Sequence, residues 1–445
     1  MTQFAKALGT PEYGFGLLAA LPFIGTFMQV PASFLQVRYG HRKQLMLICG
    51  LTGRALWIVT ALLPWLMPGA RDWWWQAMIA SLAISWLISQ ASVPAWINWM
   101  SDVIPQRIRG RFMARRNFIG QPVGMIATLA AGYFLDLAMQ HQGQRPDMML
   151  EVTSVVLVIA GLIGVVEILI FGWIDDPAAD RPPQPLKFVA LMREPLKSKN
   201  FCRYLQFNFT FMLAVGFIGQ YLWLYLLDIC AWSNTRANMY AIVMPLAMTM
   251  IGYPVWGRLV DRLGKKPVLL ISGLVVSFGA LGWLFVTPQQ LFPGYALVLL
   301  TLFAWPGMEI SNFNIMLGMA GGDDSKRPGL GAAYVALNSI AVAIGGTLSG
   351  LLAGVTAKWL VDFHYVVPLA GITLTYHGIL FLGSTVLRLL AMLFALRLTE
   401  PEAVGTWEAM RYMSYGLYSN VRQALLMPTR VVGRLVRRTY RIDRY

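Results

Sequence analysis

Eleven stretches of 21 to 28 residues in this chain hold at most two Asp, Glu, Lys or Arg each: 13–37, 44–66, 73–100, 117–139, 151–173, 204–228, 237–259, 267–287, 293–316, 329–356 and 374–397. A helix of about 20 apolar residues crosses the hydrocarbon core of a bilayer. Inside that core each backbone polar group must be satisfied within the spanning segment, which leaves helices for runs of this length. The pattern therefore predicts an all-α membrane protein with eleven complete transmembrane helices.

Composition excludes the alternatives. The 445 residues are 57% hydrophobic and 13% charged, against roughly 25% charged in soluble domains, and the mean hydropathy is +0.56. Neither a disordered chain nor a water-soluble enzyme fits. Cys49, Cys202 and Cys230 are far apart and form no metal-binding spacing. No carboxylate–histidine or cysteine–histidine constellation marks an enzyme, so no catalytic residue, metal or cofactor is expected.

The net charge of +15 is distributed by side. The loops at 38–43, 107–116, 181–203, 258–266 and 326–327 hold twenty Lys and Arg, and the alternate loops hold four. That bias places the first set in the cytoplasm, with the long linker and the C-terminus on the same side and the protein in a cytoplasmic (inner) membrane. The charges sit between apolar runs, so nucleic acid is not an expected partner. The tail at 399–445 carries eight Arg and no Lys, with Trp407, Met410, Met413 and Leu417 at helical spacing. It reads as an amphipathic segment on an anionic inner leaflet.

The Pro-rich linker at 174–203 divides the chain into an N-terminal bundle, 1–173, and a C-terminal bundle, 204–398, with the basic tail 399–445 after them. The two bundles echo each other. Gly257-x-x-x-Asp261-Arg262-x-Gly264-Lys265-Lys266 joins two helices in the second, and Ser33-x-x-x-Val37-Arg38-x-Gly40-His41-Arg42-Lys43 occupies the matching loop of the first. Asn117-x6-Gly124 and Asn338-x6-Gly345 form a second pair. Repeats of this kind are the trace of a repeat-built transporter.

With these paired loops the chain resembles the major facilitator superfamily of secondary transporters, and within it a bacterial member. The 257–266 segment matches the family loop fully, whereas the first-half copy has Ser33 for its Gly and Val37 for its Asp. The resemblance covers about residues 10–400 and leaves the substrate open. It implies a two-bundle fold of twelve helices that begins inside. Counting back from the basic loops puts Met1 outside and leaves five helices in the first bundle. The helix expected to be missing is the first, encoded by about 20 apolar residues upstream of Met1; the alternative is a protein of eleven helices.

Gly257, Asp261, Arg262, Gly264, Lys265 and Lys266, with Arg38 and Gly40, are candidates for a conformational latch. Asp261 at a helix end can accept bonds from a neighbouring loop or helix start, Gly257 would allow close helix approach, and Gly264 a tight turn. In the family arrangement the fourth, seventh and tenth helices line the cavity. They supply Trp86, Gln90 and Asn98; Asn208, Gln220 and Tyr221; and Trp305, Glu309 and Asn312. Aromatics beside amides suit a small, partly apolar solute, although amides also join helices. Glu309, alone in an uncharged region, is the candidate for proton coupling. Arg54 and Glu167 form an expected structural ion pair, and Arg388 is expected to snorkel to the inner interface. The function read from the sequence is secondary active transport by alternating access, by a monomer. The alternative is a non-transporting membrane protein on the same scaffold, either lipid-handling or regulatory.

Overall fold

In the computed structural model, residues 1–39, 41–104, 106–141, 147–176, 192–286, 292–324, 330–367 and 372–400 are described. Among them eleven helices are long and apolar enough to cross a membrane. The helices are α1 (Thr2–Ala7), α2 (Glu12–Thr26), α3 (Gln29–Tyr39), α4 (Arg42–Leu66), α5 (Trp74–Val103), α6 (Gln106–His141) and α7 (Met148–Phe171). After the linker come α8 (Lys199–Leu224), α9 (Asn234–Asn238), α10 (Met244–Leu263), α11 (Lys265–Leu284), α12 (Phe292–Asp324), α13 (Leu330–Trp359) and α14 (Tyr376–Leu396).

Local chemistry sets several of the boundaries. Ser198 caps α8 by accepting from the Phe201 N–H at 3.3 Å, and Ser233 caps α9 by accepting from the Arg236 N–H at 3.2 Å, each satisfying an orphan donor of a first turn. Gly264, at φ +93°, is the whole connection between α10 and α11; a residue with a Cβ would be strained there. The helix expected over 13–37 is divided. Pro22 cannot donate to the ladder, the Thr26 hydroxyl bonds back to the Pro22 carbonyl at 3.0 Å, and the chain breaks between α2 and α3. Helix α8 is bent at Gly219, whose backbone is non-helical (φ 15°, ψ −118°). One element has no counterpart in the sequence reading: β1 (Tyr365–Val367) pairs antiparallel with β2 (Ile372–Leu374), Tyr365 opposite Leu374. The β-branched Val366, Val367, Ile372 and Thr373 suit that short ribbon, which leads into α14.

The helices pack in two groups. In the first, α4 lies against α5 and α7, α2 and α3 against α5, and α6 against α7. In the second, α8 lies between α13 and α14, α11 against α12 and α14, and α10 against α12. The groups meet where α2 crosses α13 and α8, where α9 reaches α6, and where α1 touches α7 and α8. The α2–α13 crossing is backbone on backbone: a Cβ placed at Gly16 would lie 2.5 Å from the Gly350 carbonyl oxygen and 2.6 Å from the Gly354 Cα. Small residues allow that approach, which supplies the van der Waals contact that joins helices where no hydrophobic effect operates between them. We call the end with Arg42, Lys43, Lys265 and Lys266 the basic end, and the opposite one the far end.

Candidate functional site

Polar contacts across the two groups gather at the far end. The Asp136 carboxylate on α6 accepts from the backbone N–H groups of Asn234 (2.5 Å) and Thr235 (2.9 Å), at the start of α9, and from the Asn234 side chain (3.1 Å). Asn238 donates to the Thr128 carbonyl at 2.8 Å. The Thr2 hydroxyl donates to Gln220 at 2.9 Å, Gln3 donates to Asn234 at 2.8 Å, and Lys6 pairs with Asp228. The Tyr221 hydroxyl donates to the Glu12 carbonyl at 3.0 Å, and Tyr376 donates to the Glu12 carboxylate. Beneath these bonds lies an apolar core shared by both groups, with Phe15, Leu18 and Leu82 beside Leu224, Ala353 and Leu380. The result is a seal.

The structure therefore gives Gln220 and Tyr221 a specific place. Both follow the bend at Gly219 and are engaged with Thr2 and Glu12 in the seal, and Tyr221 is fully buried. The α5 segment with Trp86 and Gln90 lies against α2 and α3: a Cβ at Gly25 would lie 2.8 Å from the Trp86 carbonyl oxygen, and Gln90 accepts from Gln29 of α3 at 2.9 Å. Asn98 is exposed toward the basic end, and its carbonyl accepts from Arg42 at 3.1 Å.

The tenth-helix candidates, on α12, divide between two faces. Pro306 and Gly307 back onto α10, where a Cβ at Gly252 would lie 2.9 Å from the Pro306 ring and one at Gly307 would lie 2.4 Å from the Trp256 indole. Asn312 points to α8, donating to the buried Asn208 at 2.8 Å. Between these sides runs a strip with Glu309 and Phe313, both exposed. Helix α8 touches α2, and the α9 arm leading into α10 touches α6, so this strip faces the first group of helices. Glu309 accepts from the Tyr253 hydroxyl of α10 at 2.9 Å. One turn away, Trp305 packs on Phe211 with ring centroids 5.9 Å apart.

Arg388 requires a correction. It does not snorkel. It is 5% exposed, its guanidinium carbon lies 5.9 Å from the Phe211 ring and 6.0 Å from the Trp305 ring, and it donates to the Val276 carbonyl at 2.9 Å. Its Nε, buried, has no partner among the described residues. The aromatic faces of α8 and α12 hold the cation where a carboxylate would be expected. Its one-dimensional signal, a lone Arg late in an apolar run, does not distinguish a residue near a lipid interface from one turned into a bundle.

At the basic end, Asp261 is exposed and its carboxylate makes no hydrogen bond or ion pair with another described residue. The start of α11 is instead held by Glu400, whose carboxylate accepts from the backbone N–H groups of Lys265 (3.2 Å) and Lys266 (2.7 Å). Gly257 is not a close-approach position, since a Cβ there would meet Ile310 at an ordinary 3.7 Å; Gly252 and Gly307 take that role. Arg262 is exposed. Gly40 and the side chain of Arg38 lie outside the described residues, as do 177–191 of the linker and 401–445 of the tail. Arg54 and Glu167 are brought together at 3.4 Å, each about half exposed.

The ionic cluster missing from the sequence reading is around Arg42. Its guanidinium donates to Asp102 at 2.8 Å and to Asp176 at 2.6 Å, tying the start of α4 to the end of α5 and to the residues after α7. Both the Arg42 and the Asp176 side chains are at least nine-tenths buried. In the sequence Arg42 is one of three basic residues in a loop, and Asp102 and Asp176 lie 60 and 134 positions away.

Comparison with known proteins accords with this architecture. The sequence profile described as Major Facilitator Superfamily matches residues 1–349. The chain belongs to that superfamily. It is therefore a multi-pass membrane protein of a transporter family. Over 144 residues it is 28% identical to the uncharacterized MFS-type transporter YwfA of Bacillus subtilis (strain 168), a match that spans 32% of this chain and about a third (33%) of that relative. Among solved structures, the nucleoside transporter NupG (D323A mutant) aligns with a TM-score of 0.62 at 13% identity, over 90% of this chain and 95% of that one. The xylose transporter XylE of E. coli, in a partially occluded inward-open conformation, aligns with a TM-score of 0.57 at 13% identity, over 88% and 90%. At such identity these likenesses speak for the fold alone.

Proposed function

We propose that this protein is a secondary active transporter working by alternating access, in a cytoplasmic (inner) membrane with the basic loops inside, and that the state described here is sealed toward the outside. The observation that carries this reading is the one-sided seal. Asp136, Glu12, Lys6 and their partners join the two helix groups at the far end, while Glu309 and Phe313 on the facing strip of α12 remain exposed. A carrier that rocks about a midplane site must break one such set of bonds and make another.

The solute is small and has a flat apolar part beside hydrogen-bonding groups, matching Phe313 and Trp305 next to Glu309 and Tyr253. Glu309 carries the coupling proton. Its carboxylate already shares a hydrogen bond with Tyr253, so the phenol can stay bonded in both protonation states. The experiment is uptake into proteoliposomes, with solutes selected first by thermal shift on the purified protein from nucleosides and aromatic amino acids. Glu309→Gln is expected to abolish accumulation driven by a pH gradient while retaining solute exchange. If the variant still accumulates solute under that gradient, another group carries the proton.

A further inference from the structure

Four cations at the junction of α8 and α14 take no part in the solute strip or in the seal. A cleft of about 470 Å³ opens at the basic end between the turn before α8 and the end of α14, lined by Leu196, Lys197, Lys199, Arg203, Gln206 and Arg397, with Cys202 at its wall. Arg203 is fixed there, donating to the Arg397 carbonyl at 2.8 Å. Lys197 is paired with Glu194 at 2.8 Å. The other nearby acid, Glu400, is spent on the start of α11. Lys199 and Arg397 have no carboxylate partner among the described residues, so the cleft holds a net positive charge.

An apolar track leads to it. On α14, Val386 (63% exposed), Leu390, Leu393 and Leu396 (53%) recur at three- and four-residue steps along one face and end beside Arg397. Such a face lies against acyl chains when the helix spans a membrane. A chain lying along it would deliver its headgroup to Lys199 and Arg397, whereas a free anion would make no use of the track.

We propose that this cleft binds the phosphate headgroup of an anionic phospholipid, with one acyl chain on the exposed face of α14. The site joins the first turn of α8 to the last turn of α14. An occupied cleft therefore fastens together two helices of the second group at their membrane surface, without touching the facing strip that carries Glu309.

The test is native mass spectrometry of the full-length detergent-solubilised protein titrated with dioleoylphosphatidylglycerol or dioleoylphosphatidylcholine. Wild type is expected to retain one phosphatidylglycerol selectively. Lys199→Gln with Arg397→Gln is expected to weaken that binding about thirtyfold, the effect of two cation contacts at an anionic lipid surface. Arg115→Gln, which removes an exposed cation from α6 at the same end, should leave it unchanged. A thermal melt of each lipid-free variant matching wild type separates lost binding from lost folding; if the double variant melts early, Lys199→Gln alone is read, with about a sixfold loss expected. Equal retention of the two lipids, or undiminished binding by the correctly folded variant, overturns the proposal. So does displacement of the lipid by millimolar inorganic phosphate, which would make the cleft a site for a free anion.

Discussion

Asp136→Asn tests the seal at its strongest polar point. The aspartate accepts two backbone N–H bonds and one amide bond from the start of α9. An asparagine in the same place keeps one acceptor and turns its own N–H₂ toward a donor. One charge-assisted bond is lost and the rest become neutral. A net hydrogen bond to a charged group contributes about 1.5–3 kcal/mol, and Asp136 is only half-buried, so the lower half of that range applies. A loss of about 2 kcal/mol shifts the ratio of far-end-sealed to far-end-open protein about thirtyfold. If the sealed state starts at on the order of 99:1, roughly a quarter of the molecules open. Spin labels at Gln140→Cys and Asp362→Cys, two exposed far-end positions in different groups, in a background without the native cysteines, would report this as a second, longer distance. Gly132→Leu attacks the same seam independently, because a Cβ at Gly132 lies 2.7 Å from the Asn238 side chain and 2.9 Å from the Thr235 Cα. It should produce the same second distance. An unchanged distance distribution in both folded variants would refute the seal.

Three further outcomes are expected. Asp261→Asn removes a carboxylate that bonds no described residue in this state, so the far-end-sealed population should persist and its exchange with the opposite state should slow; unaltered exchange rates in the same label experiment would count against a latch. Arg388→Met should leave the melting temperature unchanged or raise it, because an apolar side chain replaces a buried cation without a carboxylate; a clear fall in melting temperature would make Arg388 a structural element. Burial pushes the Cys230 thiol up to about 11, above its value in an unfolded chain. That contribution to stability is complete below the ordinary thiol range and is lost as pH rises from about 8.5 through 11. Iodoacetamide at pH 8 should therefore modify half-buried Cys202 well before Cys230, and equal rates would contradict the burial.

The two kinds of information divide along the chain's one- and three-dimensional properties. Hydropathy and charge accumulate locally, and a bilayer filters each segment by its own length and polarity. The eleven spans and the Gly264 turn were therefore legible in sequence, as was the family through its 257–266 loop. The pairing of Arg54 with Glu167 was also within reach, because both are rare charges at matching depth. What a side chain meets across a helix boundary was not legible. Gln220 and Tyr221 carry the signature of cavity residues, yet a bend at Gly219 and partners more than 200 positions away place them in the seal. Gly257 belongs to the motif, but Gly252 and Gly307 make the close contacts, because the rotation of α10 against α12 decides which glycine faces a neighbour. Arg388 and Arg42 read as surface cations until packing encloses one between aromatic rings and the other between two aspartates. The bilayer acts on each helix separately, so sequence determines which segments enter it. Only the mutual packing of distant helices determines which faces are hidden, and with them which charges must find a partner.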